Sequence, residues 1–393
     1  MRRPLEGVTV VALEQVIAGP FCTRQLAELG ARVIKIERPE GGDAARGYDR
    51  TVRGLSSHFV WTNRSKESLA LDVKHPAAKE VLARLLAKAD VFVQNLAPGA
   101  VERLGLGATG LRARHPRLVW CGISGYGPAG PYAEKKAYDL LVQCEAGLLS
   151  VTGTPDSPSK AGIPVADIAA GMYALTSILA ALLRRGRDGE GATLDITMFE
   201  ALGEWMGFPA YFGAYGGTPP PRSGAHHATI VPYGPFKASD GGTVFLSIQN
   251  EREFARFCDK SLENPALAKD SRFSSGPARL QNREAMHAEI EKVFGKLTAV
   301  QVVERLELAE IANARLNTMQ EYWDHPQLEA RGRWANVGSP AGELRALKPP
   351  FNLSGFEPRM EAIPALGEHS RRILAELGYT ATDIDRLAAA KVI

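Results

Sequence analysis

The pattern of hydrophobic and polar positions predicts alternating strands and helices over the first 125 residues. A buried-strand run occupies 8–13, and further strand-like runs occupy 32–38, 91–96 and 118–125. Amphipathic spacing typical of helices falls between them, at 21–29 and 77–87. This alternation predicts an α/β fold with a large Rossmann-like domain, whose mostly parallel sheet carries helices on both faces.

The periodicity changes in the second half of the chain, which predicts a smaller α+β domain. Gly, Pro and His interrupt the pattern at 216–235, and a strand-like run at 243–249 then precedes three helical runs. The pattern changes again near residue 330. We therefore predict three segments, 1–215, 225–325 and 330–393.

Loops that follow the predicted strands are the expected ligand-binding segments, because ligands of open parallel sheets bind beyond the carboxyl ends of the strands. These loops occupy 14–20, 37–46, 95–99 and 125–138. They are rich in Gly, Pro, Asn and Arg, which suit close backbone approach and contact with anions. Each loop by itself is equally typical of an ordinary turn.

Composition and charge disfavour several classes of protein. Of 393 residues, 47 are Lys or Arg and 44 are Asp or Glu, interspersed to a net charge of +3, so a nucleic-acid backbone is not the expected partner. The four cysteines are widely spaced and lack metal-ligand spacing, which predicts reduced thiols, a cytoplasmic location and no metal site. The longest apolar run, 168–183, is too short and too rich in Ala and Gly for a membrane span, so we interpret it as a buried helix.

One carboxylate, Asp167, lies in the apolar stretch GIPVADIAAGMYAL at 162–175. Its position directly before Ile168 predicts a helix cap, in which the side chain accepts hydrogen bonds from the free amides of the first turn. A carboxylate held at the positive end of a helix dipole also points out of the scaffold and is available for chemistry. The neighbouring residues leave both roles open.

Two segments invite comparison with dinucleotide-binding sites. Residues 105–110, GLGATG, match G-x-G-x-x-G but follow a helical segment rather than a strand. In the first strand–helix unit, Glu37 ends the second strand, where a ribose-binding acid is expected. The turn at 14–22, EQVIAGPFC, has a single glycine and a proline, which disfavours close approach of a pyrophosphate and hence a dehydrogenase.

Longer motifs, taken in order, resemble the class III coenzyme A transferases, the family of formyl-CoA transferase and carnitine CoA-transferase. They include LEGVTVVALEQVIAGPFCTRQLAELGARVIKIERPEGGD, NRSKESLALDVK, VFVQNLAPGAVERLGL, GYGPAGPYAEKKAYDLLVQCEAGLLSVTG, IPVADIAAGMYA, VPYGPF and LGEHSRRILAELGY. The likeness covers nearly the whole chain. It implies a large domain built from both chain ends, with 330–393 returning to it, and two protomers interlocked as a homodimer.

The resemblance also implies site residues and substrates. The family's nucleophilic aspartate corresponds to Asp167, and coenzyme A or acyl-CoA is a substrate rather than a tightly bound cofactor. Formyl-CoA transferase has glutamine at the position of Ile17, so we expect the lining of the site to differ. The family's coenzyme A contacts correspond to Gln15, Ile17, Arg38, Leu71, Lys74, Asn95, Arg103, Lys136 and Tyr138.

The segments TNRSK and SGAHHATIVPYGPF resemble the branch of the family that handles small dicarboxylates. This implies CoA transfer from succinyl-CoA to a C4–C5 acid such as itaconate, mesaconate, malate or citramalate. The second carboxylate of such an acid needs a cation, for which a bidentate arginine is the strongest choice. The candidates are Arg64 first, then Arg46, His226 and His227.

Two other functions stay open at this point. The 2-methylacyl-CoA racemases, which share the fold, carry a histidine where this chain has Tyr138, and a phenol with a pKa of about 10 is a poor base near neutral pH. A non-catalytic CoA-binding protein is the other alternative. All three functions imply small-molecule ligands, without nucleic acid or membrane as partner.

Overall fold

The computed structural model describes residues 2–393, which form thirteen strands and eighteen α-helices, together with short 3-10 helices at Ala44–Gly47 and Pro265–Lys269. The strands are β1 (Thr9–Leu13), β2 (Arg32–Glu37), β3 (Glu67–Ala70), β4 (Val91–Gln94), β5 (Val119–Ser124), β6 (Gly153–Thr154), β7 (Ser157–Pro158), β8 (Thr193–Thr197), β9 (Tyr233–Lys237), β10 (Thr243–Ser247), β11 (Ala312–Arg315), β12 (Trp334–Val337) and β13 (Leu344–Leu347). The helices are α1 (Ala18–Glu28), α2 (Ser57–Asn63), α3 (Ala78–Leu86), α4 (Ala100–Arg103), α5 (Ala108–Arg114), α6 (Asp139–Glu145), α7 (Leu148–Val151), α8 (Val165–Asp188), α9 (Met198–Trp205), α10 (Gly207–Gly216), α11 (Glu251–Arg256), α12 (Gly276–Gln281), α13 (Arg283–Phe294), α14 (Ala299–Leu308), α15 (Met319–Trp323), α16 (Pro326–Ala330), α17 (Ser370–Glu376) and α18 (Ala381–Ala389).

The chain divides into two compact units. The first contains the residues up to 146 together with 161–206 and 328–393, and the second contains 147–160 and 207–327. The three-segment division expected from the sequence stays a prediction.

Six parallel strands form the central sheet of the first unit, in the order β3-β2-β1-β4-β5-β8. β1 lies between β2 and β4, with Val10 opposite Val33 on one side and Val91 on the other. The chain therefore reverses its direction of winding between β1 and β4, and doubly wound sheets bind ligands at such a switch point. The predicted α/β fold with a large parallel sheet is confirmed.

Helices cover both faces of this sheet, which explains why strands such as β1 and β5 are mainly apolar. On one face Val10 packs with Leu26 of α1 and Ile178 of α8. On the other face Val11 packs in a cluster that also contains residues of α3, α17 and α18. The amphipathic pattern predicted at 77–87 corresponds to α3, whose buried side chains lie at helical spacing.

Helix α8 is long and apolar because it crosses the core of the first unit. By length and composition it could span a membrane, with a mean hydropathy of 1.7, but 44% of that stretch is buried within the protein. A Cβ added at Gly171 would lie 2.8 Å from the backbone oxygen of Ala18, so α8 and α1 can approach this closely only with glycine at this position. The helix predicted at 168–183 is confirmed as part of α8, which buries one face against the core.

The second unit contains an antiparallel three-stranded sheet, in the order β11-β10-β9, with helices packed against it. α11 continues into one turn of π-helix at Phe257–Ser261. Phe236, Phe254 and Phe294 form part of its separate apolar core. This arrangement agrees with the predicted strand at 243–249 and the helical runs that follow it.

The glycine-rich segment at 105–110 follows α4 and runs into the first turn of α5. No strand precedes it directly, so its resemblance to a dinucleotide fingerprint is coincidental. Helix α1 starts at Ala18, three residues before the helical run that the sequence predicted at 21–29. This early start matters because it brings the amides of 18 and 19 into the helix N-terminus.

Candidate active site

Asp167 is the third residue of α8 and does not cap it, so the capping prediction is wrong. The helix begins at Val165, and its first amides are capped by Asp139, the first residue of α6. Asp139 Oδ1 accepts the N–H of Ala166 at 2.8 Å and the N–H of Asp167 at 3.3 Å. Because Asp139 does the capping, the Asp167 carboxyl group is available for another role.

The N-terminus of α1 lies close to the Asp167 carboxyl group, and the backbone amide of Ala18 there lowers the pKa of that carboxyl. No side chain caps α1, and Pro20 has no N–H, so Ala18 and Gly19 supply the amides of this end. Burial raises the pKa of the Asp167 carboxyl to about 7, with a further increase from the charge of Asp139 and an opposing effect of the Ala18 N–H. A carboxylate of raised pKa is more basic and more nucleophilic than a solvated one.

The loop at 15–17 connects β1 to α1 and is clamped from both sides. Asn95 Oδ1 accepts the Gln15 N–H, and Asn95 Nδ2 donates to the Gln15 carbonyl oxygen, both at 2.8 Å. Val16 has a φ of 66°, a left-handed conformation that costs an L-residue roughly 1–2 kcal/mol. Both carboxylate oxygens of Asp43 accept the Val16 N–H, at 3.0 and 3.2 Å. The two clamps therefore hold a strained loop directly before Ala18.

Buried ion pairs fix the two acidic residues next to this loop, Glu14 before it and Asp43 hydrogen-bonded to it. Lys35 Nζ lies 2.7 Å from Asp43 and 3.5 Å from Glu14, and Lys66 Nζ lies 2.7 Å from Glu14, with all four side chains fully shielded from water. Burial lowers the pKa of Lys66 to about 8, with Glu14 opposing the change. Buried charges persist only when they are paired, so this balanced set fixes the carboxyl end of β1.

A cleft of about 1430 Å³ opens at the carboxyl ends of β1, β2 and β3 in the first unit. It brings together five of the nine predicted coenzyme A contacts: Gln15, Arg38, Leu71, Lys74 and Arg103. Two further lysines that sequence analysis missed, Lys79 and Lys391, line the same cleft. Gln15 joins the cleft to the Ala18 amide, because only residues 16 and 17 separate them.

The other four predicted contacts lie outside the lining of the cleft. Asn95 clamps Gln15, and Ile17 is 2% exposed and directly precedes α1. Lys136 and Tyr138 are exposed in the segment that leads into α6. Partial burial raises the pKa of the Tyr48 phenol, and the acidic groups of Asp43, Tyr138 and Asp167 raise it further.

The arginines predicted to bind the acceptor acid are occupied by protein partners. Arg64 is 5% exposed, forms an ion pair with the buried Glu28 and donates to the Leu347 carbonyl oxygen at 3.0 Å. Arg46 binds both carboxylate oxygens of Glu37, each at 2.8 Å, and its guanidinium lies 3.7 Å from the centre of the Phe59 ring. Releasing either guanidinium would take from a buried glutamate its strongest cationic partner, which argues against the prediction that these arginines hold the acceptor.

The two candidate histidines belong to the second unit and stack on other rings. His226 stacks on His287 with ring centroids 4.6 Å apart, and His227 stacks on Tyr233 at 5.1 Å. Burial lowers the pKa of His226, and the charge of Arg283 lowers it further. A neutral imidazole is a poor partner for a carboxylate, so this environment argues against His226 as the binding cation.

Sequence analysis missed Asp43, Tyr48 and Asp139 as parts of the site. Asp139 directly follows Tyr138, and its helix-capping residue type was the available signal, but the helix it caps starts 26 residues later. Asp43 follows two glycines in the loop after β2, where an acid is equally typical of a turn. Contacts of this kind between distant segments leave no periodic pattern in the sequence.

Comparison with known families agrees with this geometry. The sequence model described as CoA-transferase family III matches residues 5–370. The chain belongs to CoA-transferase family III. Relatives include a succinate–glutarate CoA-transferase of Agrobacterium fabrum, 34% identical over 95% of this chain and 96% of that protein. Another is an acetyl-CoA:oxalate CoA-transferase of Acetobacter aceti, 33% identical over 95% of each chain.

A crystal structure of a CAIB/BAIF family protein from Brucella suis has the same fold as this family III chain. It is 33% identical, with a TM-score of 0.85 over 96% of this chain and 100% of that one. The protein is thus a CoA transferase whose substrates are CoA thioesters. Within 2–393, no three His, Cys, Asp or Glu side chains are grouped to hold a metal ion.

Proposed function

We propose that this protein transfers CoA between small dicarboxylic acids, with Asp167 as the nucleophile. The observation that carries the proposal is a half-buried carboxylate of raised pKa at the N-terminus of α1, the helix that follows Gln15 of the cationic cleft after two residues. A structural aspartate gains nothing from such a position, because burial makes its charged form costly. A nucleophile gains reactivity from it.

In the first half-reaction an Asp167 oxygen attacks the thioester carbonyl carbon of the donor. The carbon–sulfur bond breaks, CoA leaves as a thiolate, and an acyl–aspartyl anhydride forms. The thiolate then attacks the Asp167 carbonyl carbon, so that the donor acid leaves as a carboxylate and CoA remains bound to Asp167 as a thioester. The acceptor carboxylate repeats both steps in reverse. A thiol pKa of about 8.5 makes the thiolate a competent leaving group, so no general base is needed.

The N-terminus of α1 suits the charge that develops during these steps. The amides of Ala18 and Gly19 are positioned to stabilise an oxyanion at the reacting carbonyl. A Cβ at residue 19 would lie 3.0 Å from Glu14 Cβ and 3.3 Å from Asn95 Cγ, so any side chain there would crowd the clamped loop. Gly19 therefore keeps the amide next to the reacting atoms and helps to exclude water.

We infer that succinyl-CoA is the donor and a C4–C5 dicarboxylate, glutarate first, is the acceptor. The Agrobacterium relative named for succinate and glutarate supports this pair. Itaconate, mesaconate, malate and citramalate also carry a second carboxylate, on a four-carbon backbone like that of succinate. Oxalate is the competing acid, since the Acetobacter relative is named for it.

We also propose that the protein forms an interlocked homodimer and that it is located in the cytoplasm. Several aromatic side chains of α10 are largely exposed, including Phe208 at 60%, Tyr211 at 69% and Tyr215 at 86%, and surfaces of this kind are normally covered by a partner. Interlocking of two protomers would cover them. The four cysteines are free thiols, three of them buried, which suits a reducing compartment.

The experiment that tests the proposal offers succinyl-CoA together with a panel of free acids and detects new CoA esters by mass. We expect glutarate or another C4–C5 dicarboxylate to yield the fastest transfer, with oxalate and monocarboxylates slower. Transfer to oxalate alone would overturn the acid pair. Exchange of the α-hydrogen of a 2-methylacyl-CoA with solvent, without any acceptor acid, would instead indicate a racemase.

A further inference from the structure

Five cationic side chains line the cleft: Arg38, Lys74, Lys79, Arg103 and Lys391. All five are exposed, and within 2–393 none of them forms an ion pair with a carboxylate. Three correspond to coenzyme A contacts implied by the resemblance to the family. Lys79 and Lys391 do not correspond to any of these contacts, although both line the cleft.

The acidic residues of the same cleft do not neutralise these cations. Glu14 and Asp43 pair with Lys35 and Lys66, and Glu37 pairs with Arg46. Only Glu40 and Asp72 remain as lining acids without an ion pair among 2–393. The cleft is therefore positive overall, which suits a ligand with several phosphates.

Lys391 is held at the rim by a folded turn. Its φ of 55° is left-handed, and its N–H donates to the Ala388 carbonyl oxygen at 2.9 Å. The next residue, Val392, is fully buried, and its carbonyl oxygen accepts the Asp72 N–H at 2.8 Å. Anchoring on both sides brings Lys391 beside the loop after β3, the loop that carries Lys74.

The order of strands orients a CoA molecule in the cleft. The thioester must lie near Gln15 and Ala18, at the end of β1, to reach Asp167. β3 is two strands away in the sheet, which at about 4.8 Å per strand is roughly 10 Å. The nucleotide end of CoA then lies over β2 and β3, where Lys79 at the start of α3 and Lys391 are found.

We propose that Lys79 and Lys391 bind the 3′-phosphate of coenzyme A and give this protein its preference for CoA over 3′-dephospho-CoA. The proposal rests on the proposed function, in which a CoA thioester occupies this cleft. A phosphate gripped by two ammonium groups gains charge-assisted hydrogen bonds that the dephosphorylated ligand cannot make. Because both lysines are exposed, the effect is expected to weaken with salt.

The test compares equilibrium dissociation constants for CoA and 3′-dephospho-CoA in wild type, Lys79→Ala, Lys391→Ala and the double variant. We expect wild type to prefer CoA by about 10- to 100-fold, each single variant to lose about 5- to 10-fold in CoA affinity, and the double variant to approach equal affinity for both ligands. Affinity for 3′-dephospho-CoA should change less than about twofold. Lys88→Ala is the control, since Lys88 is exposed in the same unit but outside the cleft.

An unchanged CoA preference in the double variant would overturn the inference while leaving the proposed function intact. An equal loss of affinity for both ligands would also overturn it, because the lysines would then act on the pyrophosphate or on folding. Failure of the wild-type protein to bind either ligand would refute the proposed CoA cleft itself. The ratio of the dissociation constants for CoA and 3′-dephospho-CoA, together with the constants of the wild-type protein, distinguishes the three outcomes.

Discussion

Asp139 and Asp167 are linked twice, because the Asp139 carboxylate accepts the Asp167 N–H at 3.3 Å and its charge helps to raise the pKa of the Asp167 carboxyl. One acid therefore fixes the start of α8 and also makes its neighbour harder to ionise. Gln143 Nε2 holds the other oxygen of Asp139 at 2.6 Å, so the capping carboxylate is itself oriented. Nucleophile reactivity and helix geometry thus depend on the same side chain.

Asp139→Asn is expected to shift the pH dependence of transfer. The amide can still accept from the α8 amides but carries no charge, so the pKa of Asp167 falls. The acidic midpoint of kcat/KM, near pH 7 in the wild type, should then move down by roughly 0.5–1 unit. The measurement is a pH profile of succinyl-CoA consumption. An unmoved midpoint would show that Asp139 exerts no charge effect on the nucleophile.

Asp167→Asn should stabilise the protein above neutral pH while abolishing transfer. The pKa of Asp167 is raised in the folded state, so wild-type stability falls as pH rises from about 4 to about 7, where the unfolded chain ionises first. Asparagine removes this penalty. We expect a gain in unfolding free energy that grows from near zero at pH 4 to roughly 1–3 kcal/mol above pH 7.

Denaturant unfolding at several pH values measures this gain. Asp188→Asn is the matched control, because Asp188 ends the same helix and its side chain is 56% exposed. A pH-independent difference between Asp167→Asn and wild type would mean that Asp167 has an ordinary pKa.

Asn95→Ala tests whether Asn95 positions the loop or contacts CoA directly. Loss of both hydrogen bonds to Gln15 should let the strained loop relax and misalign the α1 amides. We expect kcat to fall about 10- to 100-fold with CoA affinity within about threefold of wild type. Asn95→Asp keeps the acceptor for the Gln15 N–H and should retain more activity. A variant with reduced CoA affinity and unchanged kcat would instead favour direct contact.

Arg64→Ala should destabilise the fold without affecting the acceptor acid. Removing the guanidinium leaves Glu28 with only Arg24, whose Nε lies 3.4 Å away. We expect a loss of roughly 2–4 kcal/mol in unfolding free energy and an acceptor KM within about twofold of wild type. Arg50→Ala, an exposed arginine, is the control. A large increase in acceptor KM with intact stability would restore Arg64 as a binding residue.

The sequence predicted much of the sheet because buried strands such as β1 and β5 consist mainly of apolar residues. The runs at 8–13, 32–38 and 118–125 correspond to β1, β2 and β5 within one residue at each end. β3, which has only four residues, and the more exposed β8 gave no comparable signal. The period of the hydrophobic pattern and the length of each run, rather than the propensities of single residues, determined which strands and helices could be recognised.

Site residues that lie within a local sequence motif could be predicted. Site residues that are brought together only by contacts between distant segments were missed. Arg38 and Lys74 lie in motifs and also line the cleft. Arg64 also lies in a motif, but it forms an ion pair with the buried Glu28 of α1, and no sequence pattern predicts that pairing. Lys391 reaches the cleft only because the C-terminal turn packs against the loop after β3.

The most direct test of the account is to trap CoA on Asp167. The protein is incubated with succinyl-CoA, treated with borohydride or hydroxylamine, digested and mapped by mass spectrometry. We expect modification of the peptide containing Asp167, and no modification in Asp167→Asn although that variant still binds CoA. Full transfer activity in Asp167→Asn, or a label on any other residue, would contradict it.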